Sequence, residues 1–232
     1  MRILKQKNIN KEIVLDKSTI FNLVIENPRY YRDCINKITC QLNSEEEYFL
    51  YYDNDKEEDL SKCSFIIPNP LNIEIDEKKI NTLIQKDISG KMNISNKEEY
   101  QLLLNTINEY ISKISYDYPL PLTFDTELTL QSFLKSISLQ VCDDYPDYLQ
   151  YLINQIKKIS IVLKLNLFFI VNLHDYLTEE EMNSFVKEMN SLELSFVLIS
   201  SHLPLAKSED EFIIRIDNDL CELHLESKTV KD

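Results

Sequence analysis

One glycine, Gly90, has to serve a chain of 232 residues. Glycine adopts left-handed backbone without steric penalty and lets a ligand phosphate come close to the main chain. A chain with a single glycine cannot build a glycine-rich phosphate cradle, and its turns fall to Asn, Asp and seven prolines. The one Gly-Lys pair, Gly90-Lys91, lacks the upstream glycine of G-x-x-x-x-G-K-[ST] and runs on into Met92. ATP hydrolysis by that motif is excluded. The G-x-S-x-G turn that presents a hydrolase serine has no glycines to form from.

Charge is the second constraint. The net charge of −14 argues against nucleic-acid binding by the molecule as a whole. Its distribution is uneven. Residues 1–40 carry eight basic side chains, Arg2, Lys5, Lys7, Lys11, Lys17, Arg29, Arg32 and Lys37, against four acidic ones, which gives +4 and leaves −18 for the rest. A basic N-terminal part thus sits on an acidic body.

With 44% hydrophobic and 28% charged residues the chain is globular rather than disordered, and long enough for one large or two small domains. The longest apolar stretch, residues 159–171, is broken by Lys164 and Asn166 and is too short to span a bilayer. The first eight residues hold no apolar core of signal-peptide length, so the expected compartment is the cytoplasm, with no membrane partner. Cys34, Cys40, Cys63, Cys142 and Cys221 form no C-x-x-C pair and are odd in number, which argues against a disulfide framework and a structural zinc site.

Periodicity predicts strands at 12–15 and 19–25 with a turn at Asp16-Lys17-Ser18, then a helix opened by Pro28 and running to about Gln41. Strands follow at 48–52 and 65–67, separated by an acidic linker, 53–59, read as an exposed loop. From about Asp76 to Ser115 the pattern is helical. Ser95-Asn96-Lys97-Glu98 fits a capping box, and Tyr100, Leu103, Leu104, Ile107, Ile111 and Ile114 fall on one face. Pro119 and Pro121 put a bend or hinge near 116–125. Helices are expected over about 126–138 and after Asp144 or Pro146.

The last third reads strand, helix, strand. The apolar run at 167–172, the capping box Thr178-Glu179-Glu180-Glu181 and the second buried strand at 195–200 make a βαβ unit and hence a parallel pair. Closing strands are expected at 212–216 and 221–225. The fold class is therefore α/β, with one domain made from both chain ends, residues 1–70 and 146–232, and a helical insertion, 71–145.

No constellation of catalytic residues stands out. Ser200-Ser201-His202 and His174-Asp175 each follow a buried strand, where active-site residues do occur. Sequence neighbours rarely share catalytic geometry, however, and His224 is not at ligand spacing. Both groups read as loop or capping residues. The carboxylate runs at 45–47, 53–59, 143–144 and 179–181 read as solvated faces or helix starts, and no EF-hand-like loop is present.

In their order and spacing, Glu12-Ile13-Val14-Leu15, Ser18-Thr19-Ile20, Tyr48–Tyr52, Phe65-Ile66-Ile67, Leu167–Asn172 with Tyr176–Glu181, and Ser195–Ile199 resemble the type II-A CRISPR-associated Csn-type spacer-acquisition family over roughly residues 8–225. The resemblance implies a degenerate P-loop-like head without a working nucleotide site, a hinged helical leg, and no catalysis. It implies four identical chains in a ring whose lysine-lined hole takes double-stranded DNA from its ends, without sequence preference. The spacer integrase complex and the effector nuclease are the implied partners.

The expected positive wall is Lys5, Lys7, Lys11, Lys17, Arg29, Arg32 and Lys37 by charge asymmetry, with Lys135 by its place on the helix after the hinge. Only the hole has to be positive, so an acidic subunit is compatible with duplex binding. Relatives place acidic residues around the hinge to bind calcium. This chain keeps Asp125 and Glu127 there but reads Pro121, Thr123 and Ser132 where acidic residues align, so the expected calcium site is weakened or lost. The competing expectation is an acidic scaffold that holds adaptation proteins and touches DNA only weakly.

Overall fold

The computed structural model describes residues 2–6, 9, 12–15, 20–92, 94–205 and 211–225. Among them are ten strands in two sheets and seven α-helices. The chain divides into two compact units, residues 1–74 with 144–232, and residues 75–143.

The first unit is mixed α/β. Its strands are β1 (Arg2–Gln6), β2 (Ile13–Leu15), β3 (Ile20–Ile25), β4 (Phe49–Asp53), β5 (Lys56–Glu58), β6 (Ser64–Ile67), β7 (Leu167–Val171), β8 (Ser195–Ser200), β9 (Glu211–Ile216) and β10 (Glu222–Leu225). Its helices are α1 (Pro28–Leu42), α2 (Leu60–Cys63), α6 (Tyr148–Leu163) and α7 (Glu179–Ser191). The second unit holds α3 (Glu77–Gly90), α4 (Ile94–Asp117) and α5 (Leu130–Ser136).

The larger sheet has the order β10-β9-β3-β8-β7-β6. Five of its strands run parallel and β10 closes the edge antiparallel to β9. A parallel sheet is covered on both faces, and its strands accordingly read as near-continuous apolar runs. Every residue of β3 and β7 is buried. The helix of the βαβ unit, α7, starts at the expected capping box, with Thr178 and Glu181 satisfying each other's backbone N–H groups. The smaller sheet, β2-β1-β4-β5, is antiparallel throughout. Its Leu4, Ile13, Phe49 and Tyr51 share one apolar core with β3, β7 and the Cys34–Ile38 stripe of α1.

Several expectations are corrected. The strands at 12–15 and 19–25 are not partners: β2 joins the small sheet and β3 sits inside the large one. The expected turn at 16–18 lies outside the described residues. The acidic run 53–59 is not a loop but the β4–β5 hairpin, which adds an edge strand. β1 was not read from the sequence, because Arg2, Lys5 and Gln6 break its apolar alternation. Ser95 lies inside α4 rather than at its cap, and the helix expected over 126–138 is confined to α5.

The glycine shortage has a visible outcome. Ser44, Asn54, Asp55, Ser138, Lys164, Asn172, Glu193 and Leu220 all take positive φ, and the lone glycine does not. Asn54 and Asp55, with φ of 49° and 64°, form the two-residue hairpin turn that Asn-Gly usually makes. Lys164, at φ 59° and ψ 40°, closes α6, and the Leu165 N–H donates back to the Ser160 carbonyl.

Candidate nucleic-acid interface

Three local facts define the carboxyl end of β3, where an α/β sheet usually holds its ligand. The connection from β3 to α1 is only Glu26 and Asn27. Asn27 Oδ1 accepts from the Arg29 and Tyr30 N–H groups, at 3.1 and 3.0 Å, and Pro28 has no N–H to offer. Glu26 is held by a fork from Arg215, with Nε to Oε1 at 2.8 Å and Nη2 to Oε2 at 2.9 Å. A phosphate cradle needs a loop of free backbone donors. Here the loop is two residues long, its helix N-terminus is already capped, and a carboxylate stands beside it.

The basic residues named from charge asymmetry have different fates. Arg29 and Arg32 lie three apart on α1, so they share a face, and both are exposed. Arg32 has a loose 3.7 Å contact with Asp33. Lys37, half-buried, lays its ammonium 5.3 Å from the centre of the Tyr48 ring. Lys5 is engaged: Nζ lies 2.6 Å from Glu12 Oε1, and that hydrogen bond raises the ammonium pKa above its ordinary value. Lys7, Lys11 and Lys17 lie outside the described residues. Lys135 is exposed in the last turn of α5, in the helical unit.

Arg2, counted among the N-terminal cations, is built into the fold instead. It donates to the Glu193 carbonyl and Ser195 Oγ, and pairs with Asp53. Asp125 and Glu127 are both exposed, and Asp125 Oδ1 accepts from the Glu127 N–H at 2.9 Å. Among the described residues no group of three or more His, Cys, Asp or Glu is placed to hold a metal ion.

Two polar clusters flank the other strand ends. Glu211, fully buried, accepts from Asn22 Nδ2 at 2.8 Å and lies 2.9 Å from His174 Nε2, while Ser200 Oγ donates to Asn22 Oδ1 at 2.9 Å. The sequence offers no signal for this knot, since its four members come from four separate segments. At the surface, Ser201 Oγ is 3.1 Å from His202 Nδ1, and His202 Nε2 is 3.1 Å from Asp175 Oδ1. The Ser201 N–H is taken by Asn172 Oδ1. The imidazole is more than half exposed, so water competes with both contacts, and the arrangement is a surface polar contact rather than a sheltered general base.

The helical unit shows a different surface. Its interior rests on a few contacts, with Ile80, Leu104 and Leu134 buried and the Tyr100 ring 6.1 Å from Phe133. Leu102, Tyr110, Tyr116, Leu120 and Ile137 are all more than half exposed. The stripe expected on α4 is therefore only partly covered: Leu103 and Ile114 are exposed too.

A family model described as "CRISPR-associated protein (Cas_Csn2)" matches residues 41–220. No curated protein matches the chain. Among solved structures, the chain aligns over 92% of its length with 87% of an ATP-binding cassette of an ABC transporter in its ADP conformation, at 14% identity and a TM-score of 0.42. It aligns over 94% of its length with 37% of a bacterial Atm1-family ABC exporter with ATP bound, at 11% identity and a TM-score of 0.41. Likeness at that level supports no conclusion about this chain. Among the described residues no helix is long and apolar enough to cross a membrane.

Proposed function

The chain belongs to the CRISPR-associated Cas_Csn2 family, and from that premise we propose that it is a non-catalytic binder of double-stranded DNA ends. In this reading it acts as a ring of four identical subunits and supports spacer acquisition alongside the integrase complex and the effector nuclease. The match over residues 41–220 carries the reading.

Two features support it. Apolar side chains such as Leu102, Tyr110 and Tyr116 stand open on the helical unit, where association would cover them. Self-association through that unit lets an acidic chain concentrate its few free cations around one shared opening. Arg29 and Arg32 on α1 and Lys135 on α5 are the described cations assigned to the DNA. The blocked phosphate position after β3 is consistent with a P-loop-like head that has lost nucleotide binding. In this reading calcium is weakened or lost: Asp125 and Glu127 are the two acidic residues kept at the hinge, and Asp125 Oδ1 is taken by the Glu127 N–H.

The test is binding of linear and covalently closed duplex of equal length at one salt concentration, together with the mass in solution with and without calcium. End threading predicts that linear duplex binds and closed circles do not, to a species of four chains. Equal binding of both forms, or a monomer in the presence of DNA, refutes it.

A further inference from the structure

The two polar clusters at the ends of β7 and β8 border one cavity. It measures about 410 Å³ and lies wholly inside the α/β unit. His174 and Asp175 reach it from the turn Leu173–Asp175 that follows β7, His202 from the segment after β8, and Glu179 and Met182 from the start of α7. The carboxyl ends of neighbouring parallel strands are where α/β sheets hold small ligands.

His174 distinguishes this cavity from an ordinary surface hollow. Its side chain is only 9% exposed, yet it lines the cavity. Its Nε2 lies 2.9 Å from Glu211 Oε1, in the knot that Asn22 and Ser200 complete. A carboxylate only accepts, so it draws the imidazole proton to Nε2 and leaves Nδ1 as an acceptor. Nδ1 has no partner among the described residues and is not sealed from solvent. Buried carboxylates orient imidazoles in this way where the far nitrogen has to meet a ligand.

The rest of the lining sets the class of ligand. Asp175 Oδ2 and the Glu179 carboxylate have no partner among the described residues. No Lys or Arg lines the cavity, and three glutamates already fill the first turn of α7. An anion is repelled here, and a cationic N–H donor is attracted. Leu177, Met182 and Pro204 supply an apolar wall. We propose that this cavity binds a small organic amine or amidine, its N–H groups on His174 Nδ1 and the Asp175 and Glu179 carboxylates and its apolar body against Leu177 and Met182. The proposal does not depend on DNA binding or ring formation.

The test is methyl NMR of the full-length protein, labelled with carbon-13 at its four methionine methyls, near neutral pH and at physiological salt. Met182 lines the cavity, and Met189, buried further along α7, is the internal control. The probe is benzamidine, and benzoate presents the same ring with the opposite charge. Benzamidine should shift the Met182 methyl saturably and leave Met189 in place, and benzoate should move neither. Asp175→Asn/Glu179→Gln, at two exposed positions, should weaken benzamidine by at least about fivefold. Glu98→Gln/Glu99→Gln, the same charge change on the helical unit, should alter affinity by less than about twofold. No saturable shift at Met182, equal shifts at Met182 and Met189, an equal response to benzoate, or equal weakening by the control pair overturns the proposal. The methyl spectrum of each unliganded variant checks folding, and the contrast between benzamidine and benzoate on the unmutated chain is decisive if a variant misfolds.

Discussion

Replacing Lys164 by glycine is expected to stabilise the α/β unit. Lys164 closes α6 at φ 59°, where an L-residue pays a steric cost of about 1–2 kcal/mol that glycine avoids. Against that stands the greater freedom of glycine in the unfolded chain, worth about 0.4–1 kcal/mol. The side chain is exposed, so little packing is lost. The balance is a gain of about 0.5–1 kcal/mol, or a rise of roughly 1–4 °C in midpoint for a chain of this size. With no tryptophan in the chain, unfolding is followed by far-ultraviolet circular dichroism in urea and on heating, at one fixed protein concentration because association shifts apparent stability. Lys164→Ala separates strain relief from loss of the amine and should be neutral or destabilising. Asn54→Gly, at a residue that tolerates left-handed backbone, should gain less. If Lys164→Gly is destabilised, or gains no more than Asn54→Gly, backbone strain at this cap is not what the dihedral implies.

Three further outcomes are expected. Glu211→Ala removes the partner of two buried groups, Asn22 and His174, and should cost about 3–5 kcal/mol in urea unfolding; a loss below 1 kcal/mol would show that the knot is not structural. Burial pushes the Cys34 thiol from 9.0 to about 11, so its contribution is full below pH 9 and fades as pH rises through 11. At pH 8 a disulfide reagent should label exposed Cys142 and Cys221 first and reach Cys34 only on unfolding, as peptide mapping would read. Arg29→Ala/Arg32→Ala should weaken duplex binding and lower the log–log salt slope by about 1 for each lost phosphate contact; an unchanged slope would remove α1 from the DNA surface.

What was legible in the sequence was what burial and capping write locally. The apolar runs Leu167–Val171 and Phe196–Ile199 identified parallel central strands, because a strand covered on both faces is mostly apolar and takes a polar residue such as Asn22 only with partners. Thr178 and Glu181 marked a helix start by chemistry that is complete within four residues. One pairing was legible, the parallel β7–β8 pair of the βαβ unit; the partners of the N-terminal strands were not. Ile13–Leu15 and Ile20–Ile25 read as neighbours along the chain but belong to different sheets, and nothing local distinguishes a hairpin from a crossing. The Asp53–Asp59 run looked like a loop because its edge strand is charged, as exposed edges are. For the candidate interface, the count of cations was legible and their engagement was not: Lys5 and Arg2 are occupied by Glu12 and Asp53, which only the folded register brings near.

The position of β3 governs how this chain can be made. It ends at Ile25, yet the strands on either side of it, Ser195–Ser200 and Glu211–Ile216, are translated about 170 or more residues later. At about 5–20 residues per second, the earliest part of the central sheet waits roughly 10–40 s before a neighbour exists. During that interval its apolar segment depends on the small sheet, α1 or a chaperone for cover. The helical unit, contiguous in sequence and rich in local contacts, is free to form first. Truncation near the C-terminus would then spare the insert and leave the nascent head without its middle.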